Sequence, residues 1–180
     1  RARHPGLTFE LILSDGETDI LRRDADLAVR MLRPRQKSLL ARRVGTIAVG
    51  FFAHQGWLAA HGAPASLTQL LAGPNLIGQD RRRTLVDALG IDQTRVSRSL
   101  VLATDSDVAQ IAAVRAGLGV GVMQAPLARR EPALRRVLPK LDHKMEVWLV
   151  THPDLRSSTP VQSAMAALHA ELKGYVRGEG

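Results

Sequence analysis

The sequence predicts an α/β fold with a mixed or parallel sheet, and three stretches carry that reading. Leu7, Phe9, Leu11 and Leu13 alternate with Thr8, Glu10, Ile12 and Ser14, the period-two pattern of a strand with one strongly apolar face. Thr104 to Pro126, TDSDVAQIAAVRAGLGVGVMQAP, reads as a capped helix that turns straight back into a strand. Val161, Met165, Leu168, Leu172 and Val176 recur at spacings of four, three, four and four, which makes one face of a closing helix.

Taken in order, Asp15-Gly16 ends the first strand, a short helix is expected from Glu17 to Arg23, and Asp26 to Arg30 forms the next strand. The opening is thus a strand, a crossover helix and a strand. A β region from Leu39 to Val44 leads through Gly45 into Thr46 to Ala53. Helices are expected at Gln55 to His61, from Ser66 onward, and at Thr84 to Leu89 before Gly90, with a short strand at Leu76-Ile77. The strand Arg98 to Ala103 delivers the chain to the capped helix, where Thr104 and Asp107 have capping-box spacing. In that helix Val108, Ile111, Ala112 and Arg115 share a face, and Gly117 sits where a C-terminal glycine cap belongs. Val120, Val122 and Met123 then form a strand that Pro126 stops. Met145 to Thr151 is the last strand, and Thr159-Pro160 opens the closing helix, which should pack on the first lobe.

Composition narrows the class. A chain of 180 residues with 45% hydrophobic and 23% charged residues suits a globular protein with a real core. No apolar stretch reaches the roughly 18 to 20 residues of a membrane helix, and no signal-peptide pattern opens the sequence. Cysteine is absent, which excludes disulfides, thiol catalysis and thiolate metal sites and agrees with a reducing cytoplasm. The net charge of +8 comes from arginine clusters scattered over many elements. One tyrosine and three phenylalanines are too few for stacking platforms, so the arginines read as solvated surface rather than a nucleic-acid face.

Enzyme chemistry finds little support. There is no G-x-S-x-G, P-loop or H-E-x-x-H, so no catalytic residue is assigned. Gly117, Gly119 and Gly121 lie after a helix and before a strand, the reverse of a dinucleotide fingerprint, and no cofactor is implied. None of the six histidines forms an i, i+4 pair, and the D-x-D pairs at Asp24/Asp26 and Asp105/Asp107 lack the further ligands of a calcium loop. No metal site follows.

An acidic, hydroxyl-rich cap, a helix, A-G-L-G, a hydrophobic triplet and a proline resemble the effector-binding domain of LysR-type transcriptional regulators. LTFELILSD (Leu7 to Asp15), RRDADLAVRMLRP (Arg22 to Pro34), LARRVG (Leu40 to Gly45), WLAAHG (Trp57 to Gly62), RVLP (Arg136 to Pro139) and VWLVT (Val147 to Thr151) fall in the family's order. The resemblance implies a two-lobed fold of the periplasmic-binding-protein type II, with the lobes joined by two crossover strands near Thr46 to Phe52 and Val147 to His152. Residues 1–46 with 149–180 would form lobe I and residues 47–148 lobe II. It also implies a strand and a helix ahead of Arg1, and further upstream a helix-turn-helix lobe through which alone DNA is bound. The partners implied are a small effector held in the interlobe cleft, often a carboxylate or aromatic acid, and a second copy in a homodimer or a tetramer. No membrane partner is implied. A transporter's solute-binding protein is the alternative with the same fold.

The effector-binding candidates are Ser14, Asp15, Arg30, Met31, Gly78, Gln79, Thr104, Asp105, Ser106 and Met123. Arg30 and Met31 follow a strand at the end where open α/β sheets bind ligands, and Arg30 either forks onto a carboxylate or pairs with Asp15, Asp24 or Asp26. Arg33 faces the same two readings. Thr104 and Ser106 either donate hydroxyl hydrogen bonds to an effector or cap their helix. Asp105 and Asp107 stabilise a helix N-terminus but oppose an arriving anion. Ser14 and Asp15 correspond to a family position facing the cleft, or form an Asp-Gly turn. Gly78 and Gln79 line the second lobe or a surface loop, and Met123 is either pocket wall or core.

Overall fold

The computed structural model describes residues 5–13, 25–34, 36, 38–79 and 90–179. Within them the chain forms β1 (Leu27–Arg30), β2 (Leu40–His54), α1 (Gln55–His61), α2 (Leu67–Leu70) and β3 (Leu76–Gly78). It continues through α3 (Gln93–Ser99), β4 (Leu100–Ala103), α4 (Asp107–Arg115), β5 (Val120–Gln124), α5 (Ala125–Arg129), β6 (Leu134–Val137), β7 (His143–Thr151), a 3-10 turn at Pro153–Leu155, and α6 (Thr159–Arg177). The strand order is β1-β7-β2-β5-β3-β4, with β6 beside β2. Parallel β3–β4 and β3–β5 pairs stand with antiparallel β1–β7, β2–β5 and β2–β6 pairs, so the sheet is mixed, as the sequence predicts. The chain divides into two compact units, Arg1–Ile47 with Lys144–Gly180, and Ala48–His143.

In the first unit, β1 pairs with β7 from Leu27↔Thr151 to Arg30↔Trp148. The Thr151 hydroxyl donates to the Asp26 carbonyl at 2.7 Å and closes that end of the ladder. Leu39 and Val150 are buried with Ala28 and Trp148 packed against them. The helix α6 keeps the apolar face read from the sequence, but none of its residues is fully buried. It comes close to the sheet at Gly45, where a Cβ would stand 2.5 Å from Val176 Cγ1. Strand β2 runs unbroken through Gly45 for 15 residues, as the sequence predicts. The glycine is there to admit the helix.

The second unit holds two apolar clusters. Phe51, Trp57, Leu70, Leu76, Val96 and Val120 belong to one, and Phe52, Ile77, Val114, Met123 and Leu134 to the other. Helix α4 ends as expected. Gly117 takes φ 73°, its N–H donates to the Val114 carbonyl, and the Leu118 N–H reaches back to Ala113, the paired bonds of a glycine C-terminal cap.

Several sequence expectations are corrected here. Leu7 to Leu13 is not a strand, and Phe9, Leu11, Ile12 and Leu13 are 58%, 82%, 53% and 72% exposed. Alternation marks which face a strand would bury, but a strand exists only where a ladder partner lies beside it. The stretch expected as one strand from Arg98 is a helix up to Ser99, capped by Asp92, whose side chain accepts from the Thr94 N–H. Pro126 ends β5 by sitting in the first turn of α5. The N-cap position of the closing helix is held by Ser158, without a side-chain capping bond, and Thr159 is its first helical residue. The helices expected at Glu17 to Arg23 and Thr84 to Leu89 lie outside the described residues.

Candidate functional site

Parallel pairing sets Gly78 of β3 beside Ala103 of β4, so both strands end at the same edge of the second unit. The ladder continues one residue further, with the Thr104 N–H donating to the Gly78 carbonyl at 2.9 Å. The chain then turns into α4. The Thr104 hydroxyl oxygen accepts from the Ser106 N–H at 3.2 Å, and the Ser106 hydroxyl oxygen accepts from the Ala109 N–H at 3.3 Å. The cap is therefore Ser106, and Thr104 shapes the turn before it; the capping box expected of Thr104 and Asp107 is replaced by this arrangement.

The residue that fastens this turn is one the sequence reading did not single out. Gln110 is only 6% exposed, its side-chain amide donates to the Thr104 carbonyl at 2.9 Å, and its own N–H donates to the Ser106 carbonyl. Because Gln110 and Val114 are the buried residues of α4, the helix is turned from the face expected through Val108, which is 59% exposed. A glutamine four residues ahead of Val114, beside Ile111, was the available signal.

The chemistry of the turn follows from these bonds. Each hydroxyl already accepts a backbone N–H, so its own proton is left to donate. The first-turn N–H groups of a helix also have no intrahelical acceptor. The turn is thus rich in donors, and Asp107 in the first turn offsets the positive end of the helix dipole. Such a surface suits oxygen acceptors of modest charge better than a bare multivalent anion.

The structure brings Gly78, Gln79, Thr104, Asp105 and Ser106 together; all but the exposed Ser106 are half-buried. A Cβ at Gly78 would meet Leu100 Cδ2 at 2.8 Å, so this glycine answers to packing against β4. Met123, 3% exposed, lies in the core cluster with Ile77 and Val114. Arg30 and Met31 belong to the first unit, both half-buried, and Arg30 has an interaction of its own within the chain. Arg33 lies over the Trp148 ring, its Cζ 5.6 Å from the centroid, and the indole N–H donates to Glu146, which also pairs with Arg43 at 2.9 Å. Ser14 and Asp15 lie outside the described residues. Among the described residues no group of three or more His, Asp or Glu is placed to hold a metal ion, and no helix is long and apolar enough to cross a membrane.

An α/β chain of two units that share long strands, with parallel strand ends beside a helix N-terminus, has the architecture of a small-molecule-binding domain. The family model described as LysR substrate binding domain matches residues 1–173, and the chain belongs to that family, one of transcriptional regulators rather than enzymes. An uncharacterized HTH-type transcriptional regulator of Haemophilus influenzae is 28% identical over 162 residues, 86% of this chain and 56% of the relative. The chain thus spans little more than half the length of that protein. The regulatory domain of CrgA, a LysR-type transcriptional regulator from Neisseria meningitidis, superposes with a TM-score of 0.80 at 20% identity, covering 95% of this chain and 87% of that one. The effector domain of the transcriptional regulator AmpR of Pseudomonas aeruginosa gives 0.71 at 19% identity, covering 98% and 86%. The fold is therefore that of a LysR-type regulatory domain, the periplasmic-binding-protein-like type II fold that the sequence resemblance implied.

Proposed function

We propose that this ligand-sensing domain serves a cytoplasmic transcriptional regulator that contacts DNA through an N-terminal helix-turn-helix lobe outside this sequence, and that it works as a homodimer or tetramer. The family match over residues 1–173 carries the reading. In this account the two lobes are residues 1–46 with 149–180 and residues 47–148. The effector is a small carboxylate or aromatic acid. It takes hydrogen bonds from the Thr104 and Ser106 hydroxyls, lies against Gly78 and Gln79, and draws on Arg30 for charge, with Met31, Ser14 and Asp15 completing the contacts from the first lobe. Asp105 helps to shape the turn, and the core position of Met123 assigns it support rather than contact. Regulation follows from differential affinity: the effector favours whichever lobe arrangement it binds better, and that bias passes to the DNA-binding lobes.

The full regulator tests this directly. Arg30→Ala should weaken an acidic effector by about 1.5–3 kcal/mol, the range of a hydrogen bond to a charged group. Its affinity for operator DNA without effector should stay nearly unchanged. Calorimetry and DNA-binding titrations give the two numbers, and unchanged effector affinity with an intact fold removes Arg30 from the site.

A further inference from the structure

The first unit contains a groove that none of the candidate effector residues lines. The opening residues of β2, the 3-10 turn after β7 and the first turns of α6 wall a space of about 310 Å³, at the small end of the range for ligand pockets. Its apolar wall comes from Leu40, Leu155, Val161 and Met165, and two arginines, Arg42 and Arg156, complete it. Val161 and Met165 open the apolar face of α6, and both remain half-exposed. The Gln162 side chain donates to the Arg156 carbonyl and ties the turn to the helix, so two parts of the wall are held together.

Charge selects the occupant. Among the described residues neither the Arg42 nor the Arg156 guanidinium has an ion-pair partner. The nearest acid along the chain, Asp154, lies 3.4 Å from His152 Nδ1. Arg42 and Lys173 also act on His169 of α6 and help burial to hold its pKa down, which marks the local field as positive. A neutral apolar ligand would cover the hydrocarbon wall but give the guanidinium groups nothing in return for lost water. A polymer segment would need more surface than a groove of this volume supplies.

We infer that this groove binds a small amphipathic monocarboxylate, its hydrocarbon body against Leu40, Leu155, Val161 and Met165 and its carboxylate on Arg42 and Arg156. The site is separate from the one proposed above and stands whether or not that assignment holds.

Methyl NMR of the intact chain tests it, because the four methionines, Met31, Met123, Met145 and Met165, give separate reporters. Octanoate is the probe and 1-octanol its uncharged control. Octanoate should shift the Met165 methyl saturably and leave buried Met123 in place, with octanol at least about tenfold weaker. Arg42→Gln with Arg156→Gln should weaken octanoate about tenfold and leave octanol unaffected. Equal binding of octanoate and octanol would overturn the inference, as would shifts at Met31 or Met123 in place of Met165, or no saturable shift at all. A Met165 shift that follows protein concentration without ligand would make a second copy the occupant and overturn it too.

Discussion

Gln110 shows how one buried polar side chain fixes the geometry of the turn into α4. Its amide and backbone N–H hold the Thr104 and Ser106 carbonyls, while the two hydroxyls keep their protons for other acceptors. Gln110→Leu keeps the volume and removes the donor, leaving the Thr104 carbonyl short of its partner. Chemical denaturation should show a loss of about 1–3 kcal/mol, the cost of a buried polar group left unsatisfied. An unchanged midpoint would mean that water replaces the amide. His169 gives a second test at this scale. The folded chain holds its pKa below the ordinary 6.5, first through burial and then through the positive charges of Arg42 and Lys173. Well above pH 6.5 the ring is neutral in folded and unfolded chains alike. As the pH falls through 6.5 the unfolded chain takes up the proton first, so stability declines until the folded ring protonates as well. Thermal midpoints across this range should therefore slope less in His169→Gln, and parallel curves would show that the ring is not the group responsible.

Strands and helices were legible to different degrees, for physical reasons. Helix α1, the glycine cap of α4 and strands β1, β3, β5 and β7 stand where capping and apolar runs put them, because those signals are local. Leu7 to Leu13 failed because pairing is not local, whereas the passage of β2 through Gly45 was legible and only the helix packed against that glycine was not. The face of α4 was misjudged because the apolar residues Val108, Ile111 and Ala112 were followed, whereas a carbonyl within the fold satisfies an inward-facing glutamine. Gly45→Ala should destabilise the chain by about 1–3 kcal/mol through overpacking against Val176. Val176→Ala in the same chain should recover part of the loss, so a double-mutant cycle will be non-additive. Additivity would place the strain elsewhere.

At the scale of the molecule, the family was readable because its motifs are colinear along most of the chain, and the match over residues 1–173 shows it. The candidate site was readable in part. Gly78, Gln79 and Thr104 to Ser106 meet at one sheet edge because parallel strands end together and a helix begins there. Met123 was ambiguous, since methionine suits core and pocket alike. Chemistry that depends on a buried partner, such as Gln110 on the Thr104 carbonyl, leaves no motif in the sequence. The central claim is that an organic acid is sensed at this turn. The most direct test is a thermal-shift screen of small organic acids, followed by calorimetry of the hit on the intact chain and on Thr104→Val/Ser106→Ala. The account predicts that an acid raises the midpoint by binding the folded state, and that its affinity falls about tenfold in the double variant. An acid that binds the folded double variant as tightly as the original chain would contradict it.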